Sequence, residues 1–326
     1  MVGRWRALSW EGWLSIAVAV VIIVFAVTVP GFLSPSSAIS ISRLFAFLGI
    51  LAVGQSLVMA AGGIDLSVGS IYGFAGATLA ILNYSGYGFG VTLFAGLGVG
   101  IAFGLINGLL VTKLRFMPFI ATFGMMGVIR ALSILIREGT IGLGAHAVAD
   151  TPWTYLARGD TPLWLPPSFF ILIGLAVGAW WLLNRTRFGL WAYATGGNLN
   201  AARAVGVPID KVRILTYVIA GALAAMTGML SVGSAEGVRT WDGAGEELKS
   251  LAAVIIGGAS LAGGSASIVG TLLAVLLFSV VKFGVSTMGL ALYFQQIVTA
   301  LMVLLALILT RLSLRGDIAG RKALKG

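Results

Sequence analysis

The sequence predicts an all-α fold, a polytopic integral membrane protein with about ten transmembrane helices. Of its 326 residues, 59% are hydrophobic and only 10% are charged. Because soluble domains carry about 25% charged residues, a water-soluble fold of this size would have too few charges to cover its surface. Apolar runs such as WLSIAVAVVIIVFAVTV (13–29), FFILIGLAVGAWWLL (169–183) and IVTALMVLLALIL (297–309) approach the ~20 residues that cross a bilayer as a helix.

Apolar segments, taken in chain order, predict the membrane spans. They lie near 13–29, 43–61, 66–83, 91–111, 118–136, 168–183, 213–231, 248–262, 268–285 and 291–310. Arg4 and Arg6 precede the first run as in a signal peptide, but the run is long and no small-residue cleavage site follows it, which indicates an uncleaved span. We expect a cytoplasmic N-terminal segment (1–12), one transmembrane domain (13–310) and a basic cytoplasmic tail (311–326).

The distribution of charge predicts the orientation, because cytoplasmic segments carry the excess of Lys and Arg. With the N-terminus inside, the inner segments hold Arg4, Arg6, Lys113, Arg115, Arg185, Arg187, Arg203, Lys211, Arg213, Arg311, Arg315, Arg321, Lys322 and Lys325. The outer segments hold mainly Arg137, Arg158 and Arg239 against Glu138, Asp150, Asp160, Glu236, Asp242, Glu246 and Glu247. Both termini are therefore expected in the cytoplasm, and the net charge of +10 needs no nucleic-acid partner.

Two predicted loops stand out by their length. The outer one, about 137–167, contains ADTPWTYLARGDTPLWLPP, whose tryptophans and prolines suit either a connector at the membrane interface or a partner-docking surface. The inner one, about 184–212, contains a short helix beginning AARAV, which Asn198 or Asn200 can cap and which Gly206 and Pro208 end. A short cytoplasmic helix between two spans can receive force from a partner.

A nine-residue pattern, GGxxLxxGS, occurs twice, as GGIDLSVGS (62–70) and GGASLAGGS (257–265). Its physical interpretation is a repeated helix break, because glycine relaxes backbone restrictions and non-helical backbone at membrane depth is tolerated only inside protein or beside a wet cavity. The alternative is chance in a chain with 46 glycines. The residues expected at these breaks, and as candidates for a transport path, are Gly62, Gly63, Asp65, Ser67, Gly257, Gly258, Gly263 and Gly264.

Asp65 is an isolated acid in an apolar region, and an ionised carboxylate in lipid costs about 2.5–3.5 kcal/mol on insertion scales. It precedes LSVGSIYGFAGATLAIL and can accept amide hydrogens at that helix start, where the helix dipole favours negative charge. A direct role in the transport path is the alternative. Polar residues within the other spans can line a path or hold helices together: Gln55, Ser56, Asn107, Lys282, Gln295 and Gln296.

The sequence lacks the usual motifs of an enzyme or of an ion-driven carrier. It has no cysteine, a single histidine (His146), no G-x-x-x-x-G-K-[ST] phosphate loop and no HExxH pair. We therefore expect no catalytic residue, metal site or cofactor in this chain. Since proton-coupled carriers usually hold several carboxylates within their spans, the driving force for any transport is expected to come from another chain.

The motifs together resemble the permease subunits of bacterial ABC sugar importers of the ribose/xylose/galactose type. The resemblance runs from about residue 10 to 312 and rests on GGIDLSVGS (62–70), GGNLNAARAVGV (196–207), AAVIIGGASLAGGSASIVGT (252–271) and YFQQIVTALMVLLALIL (293–309). It implies about ten spans per subunit in the bacterial inner membrane, a second permease subunit, a cytoplasmic ATPase that binds ATP and Mg, and a periplasmic sugar-binding protein.

The resemblance also assigns roles to particular residues. The coupling segment that fits a groove of the ATPase would contain Asn200, Ala201, Ala202, Arg203, Gly206 and Asp210. Asn200 stands where ABC permeases commonly have Glu, which leaves Arg203 and Asp210 for an electrostatic contact. The binding protein would dock on outer residues that include Arg137, Arg158 and Arg239. The expected solute is a monosaccharide; a nucleoside, autoinducer-2 or a branched-chain amino acid, or a secondary carrier, are the alternatives.

Overall fold

The computed structural model describes residues 9–138, 148–237 and 243–289, with 294, 297, 298, 300–302 and 304 beyond them. The helices of this part, in chain order, are α1 (Trp10–Thr28), α2 (Pro35–Ala60), α3 (Val68–Tyr84), α4 (Phe89–Thr112), α5 (Pro118–Glu138), α6 (Pro152–Arg158), α7 (Pro167–Arg185), α8 (Arg187–Gly197), α9 (Leu199–Ala204), α10 (Ile209–Ala235), α11 (Glu246–Ile256) and α12 (Ile268–Thr287). The all-helical prediction is confirmed for the described residues, which contain no strand.

Seven described helices are long and apolar enough to cross a membrane: α1, α2, α4, α5 up to residue 136, α7, α10 and α12. The prediction of a span over 248–262 was wrong, because α11 has 11 residues and measures only about 16 Å at 1.5 Å per residue. Glu246 and Glu247, expected in an outer loop, form its first turn. The predicted tenth span (291–310) lies largely outside the described residues, as does the tail (311–326), so ten crossings remain a prediction.

The long helix α10 occupies the centre of the bundle and packs against α2, α3, α4 and α6. Its contact with α4 is close because Gly96, Gly100, Gly104 and Gly108 recur every fourth residue along that helix. A side chain at Gly100 would overlap the carbonyl of Gly221, and one at Gly108 would lie 2.8 Å from the Ile214 Cα. Small residues let membrane helices approach in this way. This four-residue glycine spacing was a readable signal that our sequence analysis did not use.

The described part of the connector 137–167, from residue 148 onward, fits the interfacial interpretation only in part. Trp153 on α6 is 1% exposed, and its Nε1 donates to the Thr92 Oγ1 at 2.9 Å on α4. Trp164, by contrast, is 76% exposed. The interfacial interpretation therefore fits Trp164 but was wrong for Trp153, which is a core residue that ties α6 to the bundle.

Candidate transport site and coupling segment

The first break follows the end of α2 and places Asp65 in the interior. Gly62 adopts a left-handed conformation (φ 75°), its amide donates to the Met59 carbonyl at 3.0 Å, and the next amide, of Gly63, donates to the Val58 carbonyl at 2.9 Å. These two hydrogen bonds are typical of a helix that ends at a glycine. Asp65 is 0% exposed, and its Oδ1 accepts from the Ser67 amide (2.8 Å) and the Ser67 Oγ (2.7 Å). The carboxylate thus fixes the turn that leads into α3.

The N-cap residue of α3 is Ser67 rather than Asp65, and no side chain caps the helix. Asp65 acts two residues earlier, in the local turn that Asp side chains form with the amide two positions on. Asn107 on α4 donates its Nδ2 to the Ser67 Oγ at 2.7 Å, which extends the chain of hydrogen bonds across the bundle. The Asp65 Oδ2 and the Asn107 Oδ1 are buried without a hydrogen-bond partner among the described residues.

Two further helices hold the same break through its backbone. Thr122 on α5 donates its hydroxyl to the Ile64 carbonyl and accepts the Leu66 amide, both at 3.2 Å. The Tyr217 hydroxyl on α10 also donates to the Ile64 carbonyl, at 3.3 Å. Side chains from α5 and α10 therefore satisfy non-helical backbone that would otherwise be unpaired inside the protein.

The second break separates α11 from α12. Gly258 (φ 98°) ends α11, its amide donating to the Ile255 carbonyl at 3.0 Å, and the Ala259 amide donates to the Val254 carbonyl at 3.1 Å. Both copies of the repeated pattern therefore interrupt helical structure through the same kind of glycine cap. Gly263 and Gly264, the other expected residues, also have positive φ and form a tight turn before Ser267 caps α12.

The two breaks meet at the end of α8, in a junction formed by backbone atoms of Gly62, Gly196, Gly263 and Gly264. The Gly264 amide donates to the Ala60 carbonyl at 3.2 Å. A Cβ on Gly62 would lie 3.0 Å from the Gly196 Cα, and one on Gly196 would overlap both the Ala60 carbonyl and the Gly264 amide. This glycine junction leaves no room for a side chain, so movement of one segment must displace the others.

The predicted coupling segment follows this junction directly. Asn198 caps α9, because its Oδ1 accepts the amides of Asn200 and Ala201, both at 3.0 Å. Of the six residues in α9, only Ala202 is buried; Asn200, Ala201 and Arg203 are exposed. Apolar side chains at its two ends, Leu199 (36%) and Val205 (78%), are exposed as well. An exposed helix with apolar and charged side chains suits docking to a partner.

Gly206 ends α9 and begins the return to the membrane. It has φ 80°, its amide donates to the Arg203 carbonyl at 3.1 Å, and nothing lies within 4 Å of a Cβ built on it. Asp210, in the first turn of α10, forms an exposed ion pair with Lys113 at 2.8 Å. Asp210 is therefore engaged with the end of α4, which leaves Arg203 as the exposed charge within the segment.

A feature that sequence analysis missed lies at the start of α3. Glu247 on α11 is 5% exposed, and its Oε1 lies 3.4 Å from the Arg130 Nη2 on α5. Its other oxygen faces Gly69, where a side chain would overlap it. A carboxylate beside the first turn of a helix is stabilised by the helix dipole. The N-terminal turns of α3 and α11 thus meet inside the protein.

The expected docking residues on the outer side are placed only in part. Arg158, at the end of α6, forms an ion pair with Glu236 at the end of α10. The Arg137 side chain and Arg239 lie outside the described residues. Within the described part of the chain, no group of three or more His, Cys, Asp or Glu residues could hold a metal ion.

Comparison with known proteins assigns the chain to a transport family. The family described as the permease component of branched-chain amino acid transport systems matches residues 37–307. The ribose import permease of Escherichia coli K12 is 35% identical over 295 residues, which cover 90% of this chain and 91% of that protein. The ribose import permease of Bacillus subtilis is 34% identical and covers 90% of each chain.

An autoinducer 2 import system permease of Yersinia pseudotuberculosis is also similar, 34% identical over 78% of this chain and 71% of its own length. A solved structure of a metal-chelate type ABC transporter in an inward-facing conformation shares the fold, with a TM-score of 0.57 at 14% identity, covering 92% of this chain and 99% of that one. The chain therefore belongs to this family of ABC importer permeases, and it is a multi-pass membrane transport component.

Proposed function

We propose that this chain is the transmembrane permease subunit of an ABC importer that moves a monosaccharide across the inner membrane of a bacterium. Ribose import permeases at 35% and 34% identity over nine-tenths of the chain support the substrate class. The absence of a phosphate-binding loop from the sequence supports an ATPase, with its ATP and Mg, on a separate subunit. This chain supplies the path and does not itself catalyse a reaction.

The proposed assembly has a second permease subunit, most simply a copy of this chain, two ATPases and a periplasmic binding protein. Both termini lie in the cytoplasm together with α8 and α9, since the inner segments hold the excess of Lys and Arg. The opposite ends of α6 and α10 then face the periplasm, where Arg158 and Glu236 lie. Ten crossings complete the proposed topology.

The observation that carries the proposal is the glycine junction between the coupling segment and both helix breaks. A partner that docks on α9 acts on residues 198–206, which continue from Gly196 without a flexible linker. Gly196 contacts the backbone of Gly62 in one break and of Gly264 in the other. Displacement of α9 is therefore passed by backbone contact to the segment that carries Asp65 and to the start of α12.

A switch of this kind works only if ATP and the loaded binding protein each bind one conformation better than the other. In the proposed cycle, the binding protein docks outside and ATP binding closes the ATPases inside. The junction then moves the two breaks together, and access to the path changes sides. The hydrogen bonds around Asp65 hold the first break in one arrangement before the change.

Substitutions at Gly206 test the coupling role. Gly206→Val places a β-branched residue at φ 80°, at a cost of about 1–2 kcal/mol, but meets no neighbouring atom. The variant should therefore insert into the membrane and bind its partners weakly, with ATP-driven uptake in proteoliposomes abolished. Gly206→Asn is the matched control, because Asn tolerates this conformation at helix ends, and it should keep most of the uptake. Normal uptake by Gly206→Val would refute the coupling role.

Autoinducer-2 is the second candidate solute, favoured by the 34% identity to the Yersinia permease. Uptake measurements with the purified complex separate the two candidates. Uptake of radiolabelled ribose, xylose or galactose supports a monosaccharide, whereas uptake of autoinducer-2 alone supports autoinducer-2 as the solute. Accumulation without ATP, driven by a proton or sodium gradient, would contradict the ABC mechanism altogether.

A further inference from the structure

A cavity of about 390 Å³ lies between α2, α3, α10, α11 and α12. Its polar wall is formed by Ser231, Ser234, Glu246, Lys249, Ser279 and Lys282. Ligand pockets usually measure about 300–1,000 Å³, so this volume suits one small molecule. The sequence marked Lys282 as a polar residue within a span, and the proposed function so far gives it no role.

The cavity lies at the end of the bundle opposite the coupling segment. Ser231 and Ser234 belong to the last turns of α10, whereas the coupling segment precedes Ile209 at its other end. The intervening helix is about 33 Å long at 1.5 Å per residue. Lys282 lies five residues before the end of α12, on the same side. In the proposed orientation this is the periplasmic side, where the binding protein releases its solute.

Three charged groups meet in the cavity wall. The Lys249 Nζ donates to the Glu246 Oε1 at 2.7 Å, and the charges of both Lys249 and Lys282 act on Glu246. Lys282 makes no hydrogen bond or salt bridge within the described part of the chain. Charged side chains within a membrane span are costly and mark sites of function more often than structural positions. The ion pair of Glu246 uses Lys249, and Lys282 is an exposed residue that lines the cavity without such a pair.

The chemistry of the wall selects a class of ligand. Carboxylate oxygens accept, ammonium groups donate and serine hydroxyls do both, so the wall matches the mixed donor and acceptor character of sugar hydroxyls. An anion would use only the donors and would meet the Glu246 carboxylate. The aromatic rings of Phe47, Tyr72 and Phe278 line the same cavity and can cover the apolar face of a sugar ring.

We propose that this cavity is a solute site within a single subunit, which holds one neutral polyhydroxylated molecule of monosaccharide size on the outer side of the protein. The proposal rests on the proposed function, which supplies the orientation and the sugar. It adds a binding site for the solute in each permease subunit, in which Glu246 and Lys282 form hydrogen bonds to the solute.

The absence of cysteine from the sequence allows a direct test by thiol protection. Ser234→Cys introduces a thiol into the cavity wall, and Ser286→Cys introduces one at an exposed site on α12 outside it. Each variant is reconstituted with its ATPase, without ATP or binding protein, and treated from either side with a membrane-impermeant methanethiosulfonate. The probes are D-ribose, D-xylose and D-galactose, whose ATP-driven uptake by the complete system is measured in parallel.

The sugar that is taken up should slow labelling of Ser234→Cys from the outer side by about tenfold at ten times its Kd, because only the unoccupied fraction reacts. Labelling of Ser286→Cys should not change. Glu246→Gln and Lys282→Met, each combined with Ser234→Cys, should abolish this protection. Ser286→Ala, combined with Ser234→Cys in the same way, should retain it.

If a sugar that is taken up leaves the labelling rate of Ser234→Cys unchanged, the cavity proposal is overturned and the proposed function remains intact. Protection only by an anionic sugar acid overturns the ligand class, and labelling only from the inner side overturns the placement. If the complete system takes up none of the sugars, it is the proposed function that fails.

Discussion

The two copies of GGxxLxxGS form the same local turn in two different environments. Asp65 accepts the amide of the residue two positions on, Ser67, at 2.8 Å, and Ser260, at the equivalent position, accepts the Ala262 amide at 3.2 Å. Yet Asp65 is fully buried, whereas Ala262 and its neighbour Leu261 are exposed. The pattern therefore specifies a turn, and the surrounding helices decide whether that turn becomes an interior polar site or a surface loop.

The physical cause of the difference lies in the segment that comes after each turn. After Ser67 the chain enters α3, and side chains from α4, α5 and α10 satisfy the polar groups of the break. After Ala262 the chain reverses, and the Ser260 amide donates to the Ser265 carbonyl at 3.2 Å. Apart from the bond of the Gly264 amide to the Ala60 carbonyl, the second stretch is held mainly by bonds within itself. The first therefore depends on distant residues, and it should be the more sensitive to substitution.

Gly196→Ala should have the largest effect, because it breaks the junction that joins the two stretches. The new methyl group would overlap the Ala60 carbonyl and the Gly264 amide, and overpacking against backbone costs about 1–3 kcal/mol or more. We expect loss of ATP-driven uptake and a lower thermal unfolding temperature in detergent. Gly197→Ala is the adjacent control, since a Cβ there meets nothing within 4 Å; equal behaviour of the two variants would contradict the junction.

Asp65→Ala should have the next largest effect and should act on the first stretch alone. It removes the acceptor of two hydrogen bonds from Ser67 in a buried site, and an unsatisfied buried group costs about 1–3 kcal/mol. Thermal unfolding of the purified protein measures this loss, and uptake should fall in parallel. A stability equal to that of the unsubstituted protein would mean that the carboxylate does not hold the break.

Asn107→Ala sharpens the comparison by removing a partner from another helix. The Ser67 Oγ loses a donor at 2.7 Å, while its own bond to Asp65 remains, so we expect a cost of about 1 kcal/mol. The double variant Asn107→Ala/Asp65→Ala should be less destabilised than the sum of the single variants, because coupled groups in one network are not additive. Strict additivity in the same unfolding assay would show that the two residues act separately.

Ser260→Ala should have the smallest effect, about 0.5 kcal/mol, because the half-buried Ser260 loses one hydrogen bond of ordinary net strength. Only one exposed hydrogen bond, at 3.2 Å, is lost. Ser260→Asp should also be tolerated, since an aspartate forms the same turn and its charge would be solvated. A loss of uptake for Ser260→Ala as large as that for Asp65→Ala would remove the distinction between the two stretches.

Features that depend on residues close together in the chain could be predicted from the sequence. The apolar runs predicted the membrane class, and the Asn198 cap and the Gly206 end of α9 are confirmed. The glycine pairs predicted both breaks. The cap, the helix end and the breaks depend on bonds between residues two to five positions apart, which the local sequence specifies by itself. The resemblance of the ordered motifs added the family, which the comparisons confirm.

The sequence by itself thus determined the class of protein and the positions of the helix breaks, although the expected capping of α3 by Asp65 was wrong because Ser67 is the N-cap residue. Only the tertiary structure decided that Asp65 is buried and that Asn107 bonds to Ser67 across 40 residues. It alone brought Gly196 against both breaks. The reason is that burial and close approach depend on which helices pack together, and the local sequence of one segment does not specify its distant partner.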